Sequence, residues 1–199
     1  ENGSIPVPLA LFILYQIALG LFHAHQKKVI HRDIKPHNIL ISKDGDVKLT
    51  DFGIAMKTTD EENITKTGNV VGTPAYMSPE QFSSKKEVTY QSDIYSLGVV
   101  FYEMITGVRP FKNEYSTEVL DSIVRGKFVP PSKYVEGLAS IAKSILSKTF
   151  TPKPQNRYRD LIPLIKKLRA FFRKFNTFEI RDALKRIVVN DKSVGKSQF

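Results

Sequence analysis

His31-Arg32-Asp33-Ile34-Lys35-Pro36-His37-Asn38 is the stretch that decides this chain, and it is followed by Asp51-Phe52-Gly53. Pro36 fixes its own φ and offers no backbone N–H, so residues 29–38 read as irregular backbone. Between the two motifs lie the apolar runs Ile39–Ile41 and Val47–Leu49, separated by Ser42-Lys43-Asp44-Gly45-Asp46. Asp44-Gly45 is a strong turn signal, so the runs are predicted to pair as two short strands. Standing alone, Asp33 would be a turn-capping acid and Asp51 a solvated loop acid.

Upstream, Val7–Phe22 (VPLALFILYQIALGLF) is almost wholly apolar. It is shorter than the roughly 20 residues a bilayer needs, contains Gln16, and runs into His23 and His25. A buried helix from Pro8 to about Gln26 is expected instead, with the proline in its first turn. The segment has neither the basic leader nor the small-residue cleavage site of a signal peptide. Downstream, Ile54–Met77 is polar, Thr-rich and aperiodic, a long loop of the kind that carries function. Ser92–Thr106 reads as a helix, with Ser92 as its N-cap and Gly107 as its stop. Its apolar residues spread round most of the circumference, which predicts a buried central helix. Further helices are predicted near Thr117–Val124, Leu138–Leu146, Leu161–Phe175 and Phe178–Val189. The fold class is therefore mainly α with one short β-strand pair.

Eight Tyr and thirteen Phe in 199 residues supply bulk for one core. The absence of Cys excludes a disulfide framework or thiolate metal site and fits a reducing compartment. The net charge of +10 is regional: residues 160–199 hold ten Lys or Arg against four acids. A solvated helix face explains it most simply, and an acidic surface or partner is the alternative. Phe171, Phe172, Phe175 and Phe178 interleave with these basic residues. At least two of the rings are expected to pack inward while the charged groups reach outward.

Taken together, His31–Asn38 and Asp51-Phe52-Gly53 resemble the catalytic loop and the magnesium-binding motif of eukaryotic-type protein kinases. A chance match to five fixed positions of His-Arg-Asp-x-Lys-x-x-Asn in this length has a probability of roughly one in ten thousand. Gly72-Thr73-Pro74-Ala75-Tyr76-Met77-Ser78-Pro79-Glu80 resembles the family's Gly-Thr-x-x-Tyr-x-x-Pro-Glu substrate platform, with Ser78 departing from its usual Ala. Asp93-Ile94-Tyr95-Ser96-Leu97-Gly98 and Gly107 with Pro110-Phe111 extend the match. The resemblance implies a helical C-terminal kinase lobe over residues 1–172. Its catalytic loop would be 31–38, its activation segment 51–80 and its central helix 92–106. Residues 173–199 would form a basic amphipathic extension.

Several roles are implied by that resemblance. Asp33 would orient or accept the proton of the attacking hydroxyl, and Lys35 would clamp the transferring phosphate. Asn38 and Asp51 would hold Mg2+, with Mn2+ as a substitute, and ATP would be the phosphoryl donor. Leu40 matches the apolar residue under the adenine, although a core strand leucine describes it equally well. His31 and Phe52 match two members of a hydrophobic column. Thr73 would bond Asp33 and Lys35, Glu80 would pair with Arg157, and Asp93 would hold the catalytic loop's backbone. Lys35 together with Thr73 is similar to the Ser/Thr-specific branch, and the wording is similar to bacterial members. Arg32 marks the subclass activated by phosphorylation, so a phosphate on Thr65 or Thr67 would pair with Arg32.

The sequence holds no Gly-rich phosphate loop, strand Lys or partner Glu before His31. The N-terminal lobe is thus expected to be a missing partner, and these 199 residues alone are expected to be inactive. Protein substrates and a cytoplasmic setting are expected, with any membrane anchor outside this stretch. Nucleic acid is not an expected partner. Two rivals share the loop. Small-molecule phosphotransferases carry its Asp, Asn and metal Asp but generally lack a segment like 72–80, and a kinase-like interaction module would keep the fold without catalysis.

Overall fold

The computed structural model describes residues 3–52, 73–83 and 87–190. Helix α1 (Val7–Gln26) has Pro8 in its first turn, where a missing N–H has no helical partner to lose. It passes a length and composition test for a membrane span. Yet it packs against β2 (Val47–Leu49), α2 (Tyr90–Thr106), α5 (Ile162–Phe172) and α6 (Thr177–Asn190), and Leu11, Ile13, Leu14, Ile17 and Leu21 are all buried. It is a core helix, apolar on most sides because neighbours cover most sides.

Strands β1 (Ile39–Ile41) and β2 (Val47–Leu49) pair antiparallel, with Ile39 opposite Leu49 and Ile41 opposite Val47. Gly45 turns the chain between them at φ 74°, and Ser42 N–H donates to Asp46 C=O at 2.8 Å. The pair carries the chain from Asn38 to Asp51, so it sets the spacing of those two side chains.

Helix α2 (Tyr90–Thr106) is the central post and ends at Gly107 in the left-handed conformation. Its N-cap is Thr89 rather than Ser92: the Thr89 hydroxyl accepts from Gln91 N–H, and Ser92 Oγ accepts from Thr89 N–H. Ser92 occupies the third helical position of this reciprocal cap, and the helix begins one half-turn earlier than its apolar pattern implies. Gly98 permits α4 (Ser140–Thr149) to approach, since a Cβ there would lie 2.6 Å from Thr149 Oγ1.

Helix α3 (Thr117–Arg125) is capped by Ser116 and ended by Gly126. Helix α5 (Ile162–Phe172) stops three residues short of the predicted Phe175, after which the chain turns into α6 (Thr177–Asn190). Helix α4 starts at Ser140 rather than Leu138, which is buried two residues ahead of it. Phe172 is buried edge-on to Phe12 and Phe171 is partly buried, whereas Phe175 and Phe178 are exposed. Two rings thus pack inward. Helix α6 also buries Leu184, and its Arg181 reaches the strand turn, donating to Asp44 C=O and pairing with Asp46.

Candidate active site

The loop from His31 to Asn38 is fixed by a carboxylate deep in the core. Asp93, 1% exposed in the first turn of α2, accepts from His31 N–H at 2.9 Å and Arg32 N–H at 2.8 Å. A third donor is His25 Nε2 of α1 at 2.8 Å, whose ring lies 4.6 Å from Tyr90. A buried carboxylate with three donors is satisfied and oriented. Asp93 therefore joins α1, α2 and the loop, and is more than a helix-terminal acid.

His31 is fully buried. Its Nε2–H donates to Thr50 C=O at 2.8 Å, and its Nδ1 accepts from Asp33 N–H at 3.3 Å. A carbonyl only accepts and a backbone N–H only donates, so this pair of partners selects the Nε2–H tautomer. The ring also packs on Phe52 at 4.6 Å. The next residue, Arg32, has φ 68°, a left-handed conformation that costs a residue with a Cβ. Asp51 shares this conformation at φ 59°. Two strained non-glycine positions thus flank the strand pair, the kind of clustering found at working sites.

Asp33, Lys35 and Asn38 converge. Lys35 Nζ lies 2.7 Å from Asp33 Oδ2, with the two side chains 20% and 40% exposed. Asn38 Nδ2 donates to Asp33 C=O at 2.7 Å and to Asp33 Oδ2 at 3.0 Å. Both amide hydrogens of Asn38 are thereby used, and its Oδ1 makes no hydrogen bond among the described residues. The Asn38 C=O in turn accepts from Thr50 N–H at 2.9 Å. Asp51 is exposed, and among the described residues its carboxylate accepts one hydrogen bond, from the Thr50 hydroxyl at 3.4 Å.

Leu40, in β1, is 56% exposed, so it is not a core strand leucine in this chain. Thr73 makes no hydrogen bond to Asp33 or Lys35 among the described residues. Asp33 is served by Lys35 and Asn38 instead. The Arg32 guanidinium is half-buried and has no partner among the described residues. Gly53, Thr65, Thr67 and Gly72 lie outside the described residues.

Glu80 and Arg157 meet through two bonds, Nη1 to Oε1 at 2.6 Å and Nη2 to Oε2 at 3.0 Å. The side chains are 2% and 0% exposed. Arg157 spends its other three N–H groups on the carbonyls of Thr151, Gln91 and Pro152, so all five donors are satisfied. Ser92 Oγ donates to Glu80 as well, at 2.7 Å. Burial alone would raise the Glu80 carboxyl, but these partners, Arg157 first, hold it below its ordinary value. On the same platform Tyr76 donates to Glu103 at 2.6 Å. Burial, reinforced by that bond, pushes the Tyr76 hydroxyl well above its ordinary range.

The protein kinase domain family matches residues 1–167, a span that ends before α6. A serine/threonine-protein kinase PknA of Corynebacterium glutamicum is 44% identical over 160 residues, covering 80% of this chain and 33% of that protein. PknH of Mycobacterium tuberculosis is 41% identical over 156 residues, covering 78% and 25%. PknB of Mycobacterium tuberculosis is 40% identical over 159 residues, covering 79% and 25%. The chain therefore spans about a quarter to a third of the length of these relatives.

Proposed function

We propose a function from one premise: the chain belongs to the protein kinase family, and its relatives are named serine/threonine-protein kinases. In the full-length protein this lobe supports transfer of the ATP γ-phosphate to a Ser or Thr hydroxyl of a protein substrate, in a cytoplasmic setting. The acceptor oxygen forms the new O–P bond as the bond from γ-phosphorus to the bridging oxygen breaks and ADP departs. The hydroxyl proton passes to the Asp33 carboxylate. The observation that carries this reading is the convergence of Lys35 and Asn38 on one oxygen of a part-exposed Asp33. Anchored from that side, the carboxylate holds one direction toward an incoming hydroxyl.

Lys35, adjacent to Asp33, is suited to meet the transferring phosphate, where a positioned cation lowers the barrier most. For Mg2+, the donor set fits a hard cation that takes few protein ligands: the unbonded Asn38 Oδ1 and the exposed Asp51 carboxylate. When bound, that ion supplies charge neutralisation on the phosphates. Among the described residues no group of three His, Cys, Asp or Glu side chains could hold a metal by itself, in keeping with a site that shares its ion with phosphate oxygens. Phosphate on Thr65 or Thr67 would pair with Arg32 through a charge-assisted bond.

Phosphoamino-acid analysis tests the acceptor. Full-length protein incubated with labelled ATP, Mg2+ and a mixed protein substrate should yield phosphoserine and phosphothreonine. Phosphotyrosine alone, or transfer only to small molecules, would overturn the reading.

A further inference from the structure

We infer that Gln81, on the substrate platform, is a positioning residue for Asp33; this rests on the kinase reading above. The peptide group joining Arg32 to Asp33 fixes the direction in which the Asp33 side chain leaves the backbone. Its N–H is held by His31 Nδ1 at 3.3 Å, and its carbonyl accepts from Gln81 Nε2 at 2.9 Å. The N–H on the other side of Arg32 is held by Asp93. Arg32 sits at φ 68°, where a side-chain-bearing residue stays only if its surroundings hold it. Of these three restraints, Gln81 alone comes from the platform.

Gln81 is itself immobilised. Its Oε1 accepts from Ser78 N–H at 2.9 Å and from Ser78 Oγ at 3.0 Å, and Ser78 is fully buried. The amide orientation follows from its partners, since Ser78 N–H can only donate and the Arg32 carbonyl can only accept. Pro79–Phe82 forms a single short turn, so Gln81 is one residue from Glu80, which Arg157 and Ser92 lock. The buried Glu80–Arg157 pair is thereby joined through Gln81 to the backbone that aims Asp33. An ill-placed reacting group can lose about 10²-fold in rate for a shift near 1 Å, so this linkage belongs to the chemistry.

Two variants separate positioning from support of the platform. Gln81→Glu keeps an acceptor for Ser78 and loses the donor to Arg32, while Gln81→Leu loses both. In full-length protein, both are expected to lower kcat about 10–100-fold with the KM values for ATP and peptide unchanged within about two-fold. In the 199-residue chain, both should speed amide exchange of peptides covering residues 31–38 while leaving α2 unchanged. A Gln81→Glu enzyme with wild-type kcat would overturn the inference, as would a loss confined to peptide KM. Should the full-length wild type prove inactive, the kinase reading fails instead, and the exchange data alone decide whether Gln81 holds the loop. Unchanged exchange in Gln81→Glu would then reject it, and Gln81→Glu serves if Gln81→Leu does not fold.

Discussion

Two ion pairs in this lobe are built from the same charges and put to opposite uses. Glu80–Arg157 is buried from both sides, with all five guanidinium donors placed. Lys35–Asp33 is shorter than many salt bridges, at 2.7 Å, yet both side chains remain partly open to solvent. The first has no capacity left for a ligand and can only hold the platform to the helical core. The second leaves a part-exposed carboxylate and ammonium open to solvent, as the proposed function requires. Saturation of donors, rather than the presence of charge, distinguishes a structural pair from a working one.

The sharpest way to break that contrast is Arg157→Ala. It strands a buried Glu80 carboxylate and removes the donors that Arg157 supplies to the carbonyls of Thr151, Gln91 and Pro152, with an expected loss of about 3–5 kcal/mol. Urea unfolding of the chain would read this as a lower midpoint at unchanged slope. A loss below about 1 kcal/mol would mean that the pair is not a structural tie.

A smaller effect is expected from pH. Against the opposing effect of burial, Glu80 is held below the ordinary carboxyl range in the folded chain, chiefly by Arg157. Its contribution is therefore fully present above the unfolded value and is lost as pH falls through the folded one. Glu80→Gln should flatten the decline of stability below about pH 4.5 relative to wild type. Parallel declines would place the acid sensitivity elsewhere. Least of all should be the stability change on Lys35→Met, within about 1 kcal/mol, as befits a part-exposed pair. A loss comparable with that of Arg157→Ala would erase the distinction between the two pairs.

The sequence made the strand pair legible to the residue, because Asp44-Gly45 between two apolar triplets permits only a tight turn. Glu80 and Arg157 could be paired at a separation of 77 residues only because both lie in motifs of the resembling family. Helix ends were less legible. Ser92 and Thr89 are both good cap residues, and the apolar pattern that favoured Ser92 says nothing about the polar first turn. The helical pattern of Leu161–Phe175 runs past the end of α5 at Phe172, and the Phe171 and Phe175 rings still meet, at 4.7 Å, across a turn. Hidden from sequence were His25 on Asp93 and Gln81 on Arg32, across 68 and 49 residues. Two His residues, His23 and His25, at the end of an otherwise apolar helix were the available signal for the first. Gln81 had none, since one polar residue in a turn carries no local periodicity. The bond expected between Thr73 and Asp33 does not form among the described residues, for the resemblance gave residue types and not which neighbour reaches the carboxylate first.

The central claim is that Asp33, held by Lys35 and Asn38, accepts or orients the proton of a protein hydroxyl during phosphoryl transfer. Full-length protein carrying Asp33→Asn, assayed with labelled ATP and Mg2+ on a Ser/Thr substrate, tests it most directly. The expected result is a fall in kcat of roughly 10²–10⁴-fold at unchanged thermal stability, because a positioned base contributes on that scale. A kcat within about two-fold of wild type, well short of that range, would contradict the account.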